Sequence, residues 1–219
     1  MRSDAVKELA VVSPKPSLAK RGTALVLIDM ILGDTDPNVG LGTVVPNPYL
    51  FGRIAEAVIP NAGRLLKHFR ASGRPIVHVR VVSHPDDATD WPKTYRASLL
   101  GRKLLPSRAG VKGYEWVPSL APLPNEIIVE KRSISAFNST GIESILHRLP
   151  VEDIVIVGVT TNYGVGHTAI DAADRGFGVV VVKDASAAYS EATHTEWLAA
   201  HEAYYFRALS TDEVISELP

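Results

Sequence analysis

Four polar features stand at the carboxyl ends of short apolar runs. Asp29 closes Ala24-Leu25-Val26-Leu27-Ile28, and Lys131 follows Glu126-Ile127-Ile128-Val129-Glu130. The turn Thr160-Thr161-Asn162-Tyr163-Gly164 follows the run Asp153–Gly158, and Asp184 stands just beyond Gly178–Val182. In an open parallel sheet, ligands gather outside the carboxyl ends of the strands, so chemistry is expected at these positions. A carboxyl group in a low-dielectric cleft can act as a general acid or base, because burial raises its pKa and a nearby cation lowers it. Asp29 suits that role, and it suits a helix or loop cap equally well. Lys131 can be a solvated surface charge or the partner of Asp29. Two opposite charges at neighbouring strand tips are more telling together than either is alone. The first N–H groups of a helix lack internal partners, so the turn that ends at Gly164 can hold an anion or a developing oxyanion. Glycine there is also explained by a tight turn alone.

The elements that position these groups alternate. The run over 24–28 reads as a strand buried on both faces. Ile54, Val58, Ala62, Leu65, Leu66 and Phe69 recur at helical spacing, with Gly73 as a stop. Pro60 lies inside that pattern, so a break is expected there, with the firmer helix starting near Asn61. Strands are expected over 75–82, 126–130, 153–158 and 178–182, with an edge strand over 205–209. Helices are expected after Ser139 or Thr140, over Thr161–Arg175 and over Glu191–Tyr204. The stretch Ser83–Asn125 is long, irregular and rich in proline and glycine, and a binding loop or lid often has this form. The alternation implies an α/β fold with a parallel sheet covered on both faces.

The chain has 219 residues, 46% hydrophobic and 21% charged, with a net charge of −1. One domain over 1–219 is expected, with residues 1–21 as an N-terminal extension lacking the apolar centre of a secretory signal. Neither nucleic acid nor a membrane is expected as a partner of so neutral a chain, and a cytoplasmic location is expected. There is no cysteine, which excludes disulfides and thiolate chemistry.

Leu25-Val26-Leu27-Ile28-Asp29, then Glu130-Lys131-Arg132-Ser133-Ile134-Ser135-Ala136-Phe137 with Thr140, then Gly158-Val159-Thr160-Thr161-Asn162-Tyr163-Gly164-Val165 with Thr168–Ala172 resemble the isochorismatase-like hydrolase superfamily. The likeness runs from about residue 22 to about residue 210. It implies a Rossmann-like three-layer sandwich around a six-stranded, mainly parallel sheet, and a homodimer or homotetramer. It also implies an Asp–Lys–Cys triad acting on a small-molecule substrate. By position, Asp29 would transfer protons and Lys131 would be the cation beside it. Val159–Thr160 would be the family's cis peptide, and the Thr160 and Gly164 N–H groups would form its oxyanion hole. Gly164 replaces the nucleophilic cysteine.

Three readings stay open. The first is a thiol-free hydrolase that protonates and hydrates a vinyl ether, as the family's isochorismatases do with glycine at the cysteine position. The second is an amide- or carbamoyl-cleaving enzyme whose cysteine has become glycine, and the text Thr160–Tyr163 favours it. The third is a non-catalytic binding protein on the same fold. A dicarboxylate substrate would need cations, for which Arg80, Arg96, Arg102 and Arg132 are the candidates. Trp91, Tyr95, Tyr163 and Trp116 are candidates for an apolar wall. No metal and no cofactor are expected: Asp34-Thr35-Asp36 lacks the histidine of the family's metal motif, and His78 reads as a core residue.

Overall fold

A computed structural model describes Leu18 and residues 22–101 and 107–218. The N-terminal extension expected over 1–21 lies outside the described residues apart from Leu18. Arg102 also lies outside them. Six strands, β1 (Thr23–Ile28), β2 (Ile76–Val81), β3 (Ile127–Lys131), β4 (Asp153–Val159), β5 (Gly178–Ala187) and β6 (Arg207–Leu209), form one sheet in the order β3-β2-β1-β4-β5-β6. Every pairing is parallel, which sharpens the mainly parallel expectation. The reversal of strand order beside β1 is the switch point at which open α/β sheets leave a crevice.

Alternation along the central strands feeds two cores. Leu25, Leu27, Val155, Val157, Val180 and Val182 face α1 (Ile59–Ala71) and the C-terminal helix. Val26, Ile28, Val77, Val79, Ile154 and Ile156 face the opposite layer, built from α3 (Ile142–Arg148), α4 (Gly166–Asp174) and α5 (Glu191–His201). A strand apolar on both sides buries both faces, and the three layers follow. Among the described residues no helix is long and apolar enough to cross a membrane.

Four local expectations are corrected. The chain is not broken at Pro60: helical structure runs from Pro48 through a widened turn at Ile54–Val58 into α1. Proline has no N–H and its ring crowds the carbonyl four residues back, and the widened turn spans that residue, Glu56. The stretch 83–125 is not wholly irregular, since α2 (Lys93–Gly101) and two short turns lie in it. The last helix, α6 (Thr211–Glu217), was not expected. Ser210 and Glu213 cap it reciprocally, a pattern visible in Ser210-Thr211-Asp212-Glu213. Asp184 lies inside β5 instead of beyond it. Its carboxylate accepts from the Thr211 N–H (2.8 Å) and hydroxyl (2.9 Å), so it anchors α6 and takes no part in a strand-end cleft.

Gly158 has a positive φ of 121°, and a β-carbon there would lie 2.1 Å from the Ile28 carbonyl oxygen. β4 can lie against the end of β1 because this residue has no side chain. Gly158→Ala is expected to lower the unfolding free energy by about 2–4 kcal/mol. A urea titration showing a loss below about 0.5 kcal/mol would contradict this account of the strand pair.

Candidate active site

Asp29 follows β1 with φ +55°, a conformation that few residues other than glycine and short polar ones adopt. Its N–H donates to the Val79 carbonyl (2.8 Å), which ties the strand end to β2. Lys131 ends β3, in register with Val81 of β2. β2 therefore lies between the acid and the amine, and their strands stand about 10 Å apart, two strand spacings. The long lysine side chain crosses that gap. Its Nζ reaches Asp29 Oδ2 at 2.8 Å and also donates to the Ser133 carbonyl at 3.2 Å. Both residues are buried.

This pair lies in the wall of a cavity of about 440 Å³ over the switch point. Val159, Thr160 and Gly164 form the wall beside it, and the Val159–Thr160 peptide is cis. The turn after β4 is a widened helical turn over Thr161–Val165 leading into α4. Thr168 buttresses it, donating to the Gly164 carbonyl (2.6 Å) and accepting from the Ala136 N–H (3.1 Å). A β-carbon at Gly164 would stand 3.0 Å from Asp29 Oδ2, 3.0 Å from the Val159 carbonyl oxygen and 3.1 Å from the Ile28 γ2 methyl.

Trp91 and Tyr95 stack at 5.1 Å and line the cavity from the 83–125 stretch. Tyr163 lines it too, is 49% exposed and meets Tyr189 edge-on. Trp116 does not line it; that ring packs against His78 and Arg80. The arginines also lie elsewhere. Arg80 pairs with Glu130 (2.8 Å), Arg96 with Asp87 (3.2 Å) and Arg132 with Asp90 (3.2 Å). Arg96 is thus corrected as a residue of the cavity wall: the Asp87 carboxylate and carbonyl hold its guanidinium outside. His78 is buried in the core as expected. One ring nitrogen bonds Glu126 (2.8 Å), and burial pushes its pKa down.

Several cavity residues escaped the sequence reading, Tyr189 and Asp34 among them. Tyr189 follows β5. Asp34, on the helical turn Leu32–Thr35 just after β1, had been weighed only as half of a metal motif. An acid five residues beyond a strand-end aspartate, in the first loop over the cleft, was the signal available. Asp34 is half-buried as a residue, yet its Oδ2 is fully enclosed without a hydrogen-bond partner, as is Asp29 Oδ1. Burial, and then the neighbouring Asp29 charge, push the Asp34 carboxyl up to about 8, against the pull of Lys131. Burial also raises Asp29 above the ordinary carboxylate range, opposed by the Lys131 ammonium. Tyr95 is raised by burial and by the two carboxylates. Among the described residues no cluster of three or more histidine, aspartate or glutamate side chains is arranged to hold a metal.

Comparison with known proteins matches residues 23–213 to the isochorismatase domain. The uncharacterized isochorismatase family protein YecD of Escherichia coli O157:H7 is 31% identical over 204 residues, 92% of this chain and 98% of that one. Maleamate amidohydrolase of Pseudomonas putida is 27% identical over 164 residues, 75% of this chain and 71% of that one. A crystal structure of an isochorismatase family protein from Desulfovibrio vulgaris superposes with a TM-score of 0.75 at 26% identity, covering 90% of this chain and 99% of that one.

The raised Asp34 carboxyl makes stability depend on pH. The folded chain keeps a proton that the unfolded chain releases near 3.8, so this group's contribution is full below that pH and is lost as pH rises toward about 8. The stability difference between the protein and Asp34→Asn should therefore fall across this window, by up to about 1.4 kcal/mol per pH unit. Chemical unfolding at a series of pH values measures it, and a flat difference would contradict the burial assigned to Asp34.

Proposed function

Because this chain belongs to the isochorismatase family of hydrolases, we propose that it hydrolyses a small carbonyl- or carboxylate-bearing metabolite without a covalent intermediate, using Asp29 as its acid/base group. The bond favoured is a vinyl ether. Such a bond is activated when an acid protonates its carbon; water then adds to the resulting cation, and the adduct collapses to a carbonyl compound and an alcohol. Asp29 cycles the proton, and Lys131 sets its position and charge. The Thr160 and Gly164 N–H groups polarise the leaving oxygen as it takes the electrons of the breaking C–O bond. Trp91, Tyr95 and Tyr163 give the organic part of the ligand an apolar wall.

The observation that carries this reading is the close approach at Gly164. A β-carbon there would stand 3.0 Å from both the Asp29 carboxylate and the Val159 carbonyl, so close that these neighbours would have to give by a few tenths of an ångström. That packing fits glycine as the working residue and the carboxyl as the reacting group. Lys131 is the only cation lining the cavity among the described residues, which favours a substrate with one carboxylate or none over a dicarboxylate.

A second reading rests on the relative named maleamate amidohydrolase and on the text Thr160–Tyr163. In that reading the substrate is an amide and the protein has lost its nucleophile. Turnover of isochorismate, simpler vinyl ethers and small amides, measured before and after Gly164→Cys, separates the two. Vinyl-ether turnover by the protein as it stands, lost about 10²–10⁴-fold in Asp29→Asn, is the expected result. Full turnover by Asp29→Asn would remove Asp29 from the mechanism. Amide cleavage by the Gly164→Cys variant alone would establish the second reading.

A further inference from the structure

The same cavity holds a second carboxyl group that the reading above does not use. Asp29 and Asp34 both line it, and each has one enclosed oxygen without a hydrogen-bond partner. Their surroundings differ. Asp29 Oδ2 is held at 2.8 Å by the Lys131 ammonium, whereas among the described residues no cation touches Asp34. An ammonium in contact favours the ionised form of its carboxyl, and enclosure without a partner favours the neutral form. Two interacting carboxyls in unlike environments share the available protons unequally.

We propose that Asp34 is a second catalytic acid, and that it works with Asp29 as a one-proton carboxyl pair that takes over the role of the missing thiol. This rests on the cavity being the hydrolytic site and divides between two residues the acid/base work assigned above. Asp34 carries the proton and Asp29 is the carboxylate. In the hydrolytic step the Asp34 proton passes to the substrate, and water forms the new bond to carbon. Asp29 takes a proton from that water, and as the bond to the leaving oxygen breaks, the remaining hydroxyl proton of the adduct passes to that oxygen and the carbonyl forms. A proton then returns from Asp29 to Asp34 through cavity water, so the pair regains its starting state with one water consumed. No covalent enzyme intermediate and no further reactant are needed.

The groups facing Asp34 make the pair addressable by pH. Asp29 comes from the end of β1, Lys131 from β3, Tyr95 from α2, Tyr163 from the turn after β4 and Tyr189 from the chain after β5. Asp29 and Asp34 are the carboxyls in this set, and burial with the two carboxylates raises Tyr95. The enclosure of Asp34, which pushes its carboxyl up to about 8, keeps it protonated at neutral pH.

The full chain, labelled with ¹³C at the aspartate carboxyls, should show one resonance titrating near pH 8 that is absent from Asp34→Asn. On the vinyl-ether and amide panel, activity should fall on the alkaline side as Asp34 loses its proton. Asp34→Asn should lower kcat at least tenfold and abolish that alkaline limb, while Asp34→Glu should restore part of both. A thermal unfolding scan checks that the variants are folded. The proposal is overturned if no aspartate carboxyl titrates above pH 6.5, or if folded Asp34→Asn keeps both its rate and its pH profile. Loss of activity in Asp29→Asn alongside an unaffected Asp34→Asn would sink the pair and leave the single-acid reading intact. Full activity in Asp29→Asn would sink the single-acid reading itself.

Discussion

The site depends on one ion pair stretched across a strand. Asp29 and Lys131 come from the ends of β1 and β3, with β2 between them, and meet at 2.8 Å in the cavity wall. Neither charge is well placed alone. Removing one partner of a buried pair leaves an uncompensated charge, at a cost of about 3–5 kcal/mol. The pair persists because the strand ends are in register, the lysine is long enough to cross β2, and the Ser133 carbonyl takes another of its protons. This arrangement holds a carboxyl inside the fold while keeping it a titrating group.

Burial and the ammonium act on Asp29 in opposite directions, and the balance between them makes the carboxyl useful. A carboxylate with a strong cation and water around it stays ionised and gives up no proton at neutral pH. A carboxyl with neither stays neutral and cannot accept one. Asp34 lies on the enclosed side of that balance and Asp29 on the paired side. In the mechanism proposed for this cavity, two acids in unlike settings supply both halves of a proton transfer without sulfur.

Gly164 and Gly158 let the backbone close around this centre. At Gly158 the ends of β4 and β1 approach too closely for any side chain. At Gly164 a β-carbon would crowd the Asp29 carboxylate and the Val159 carbonyl, so glycine lets the turn lie close against the acid. The aromatic wall has another origin. Trp91 and Tyr95 reach the cavity because the stretch after β2 folds back over the strand ends and carries a short helix.

The sheet, the helices on both its faces and the strand-end positions of Asp29, Lys131 and the Thr160–Gly164 turn were legible in the sequence. They rest on local rules: apolar runs make buried strands, helical spacing makes covering helices, and polar residues at strand ends lie at the mouth of the crevice. The capping box of α6 was equally local and was passed over. What the sequence could not hold was pairing at a distance. Strand order decides that Lys131 reaches Asp29 and that Arg80 meets Glu130, while the packing of loops and helices decides that Asp184 anchors α6 and that Arg96 and Arg132 find carboxylates outside the cavity. The role of Asp34 belongs with these, because its raised carboxyl comes from enclosure and from a neighbouring charge. Residue types and their periodicity determine which groups stand at strand ends. Only packing in three dimensions sets their distance, dielectric and neighbours, and those three quantities decide which of them can move a proton.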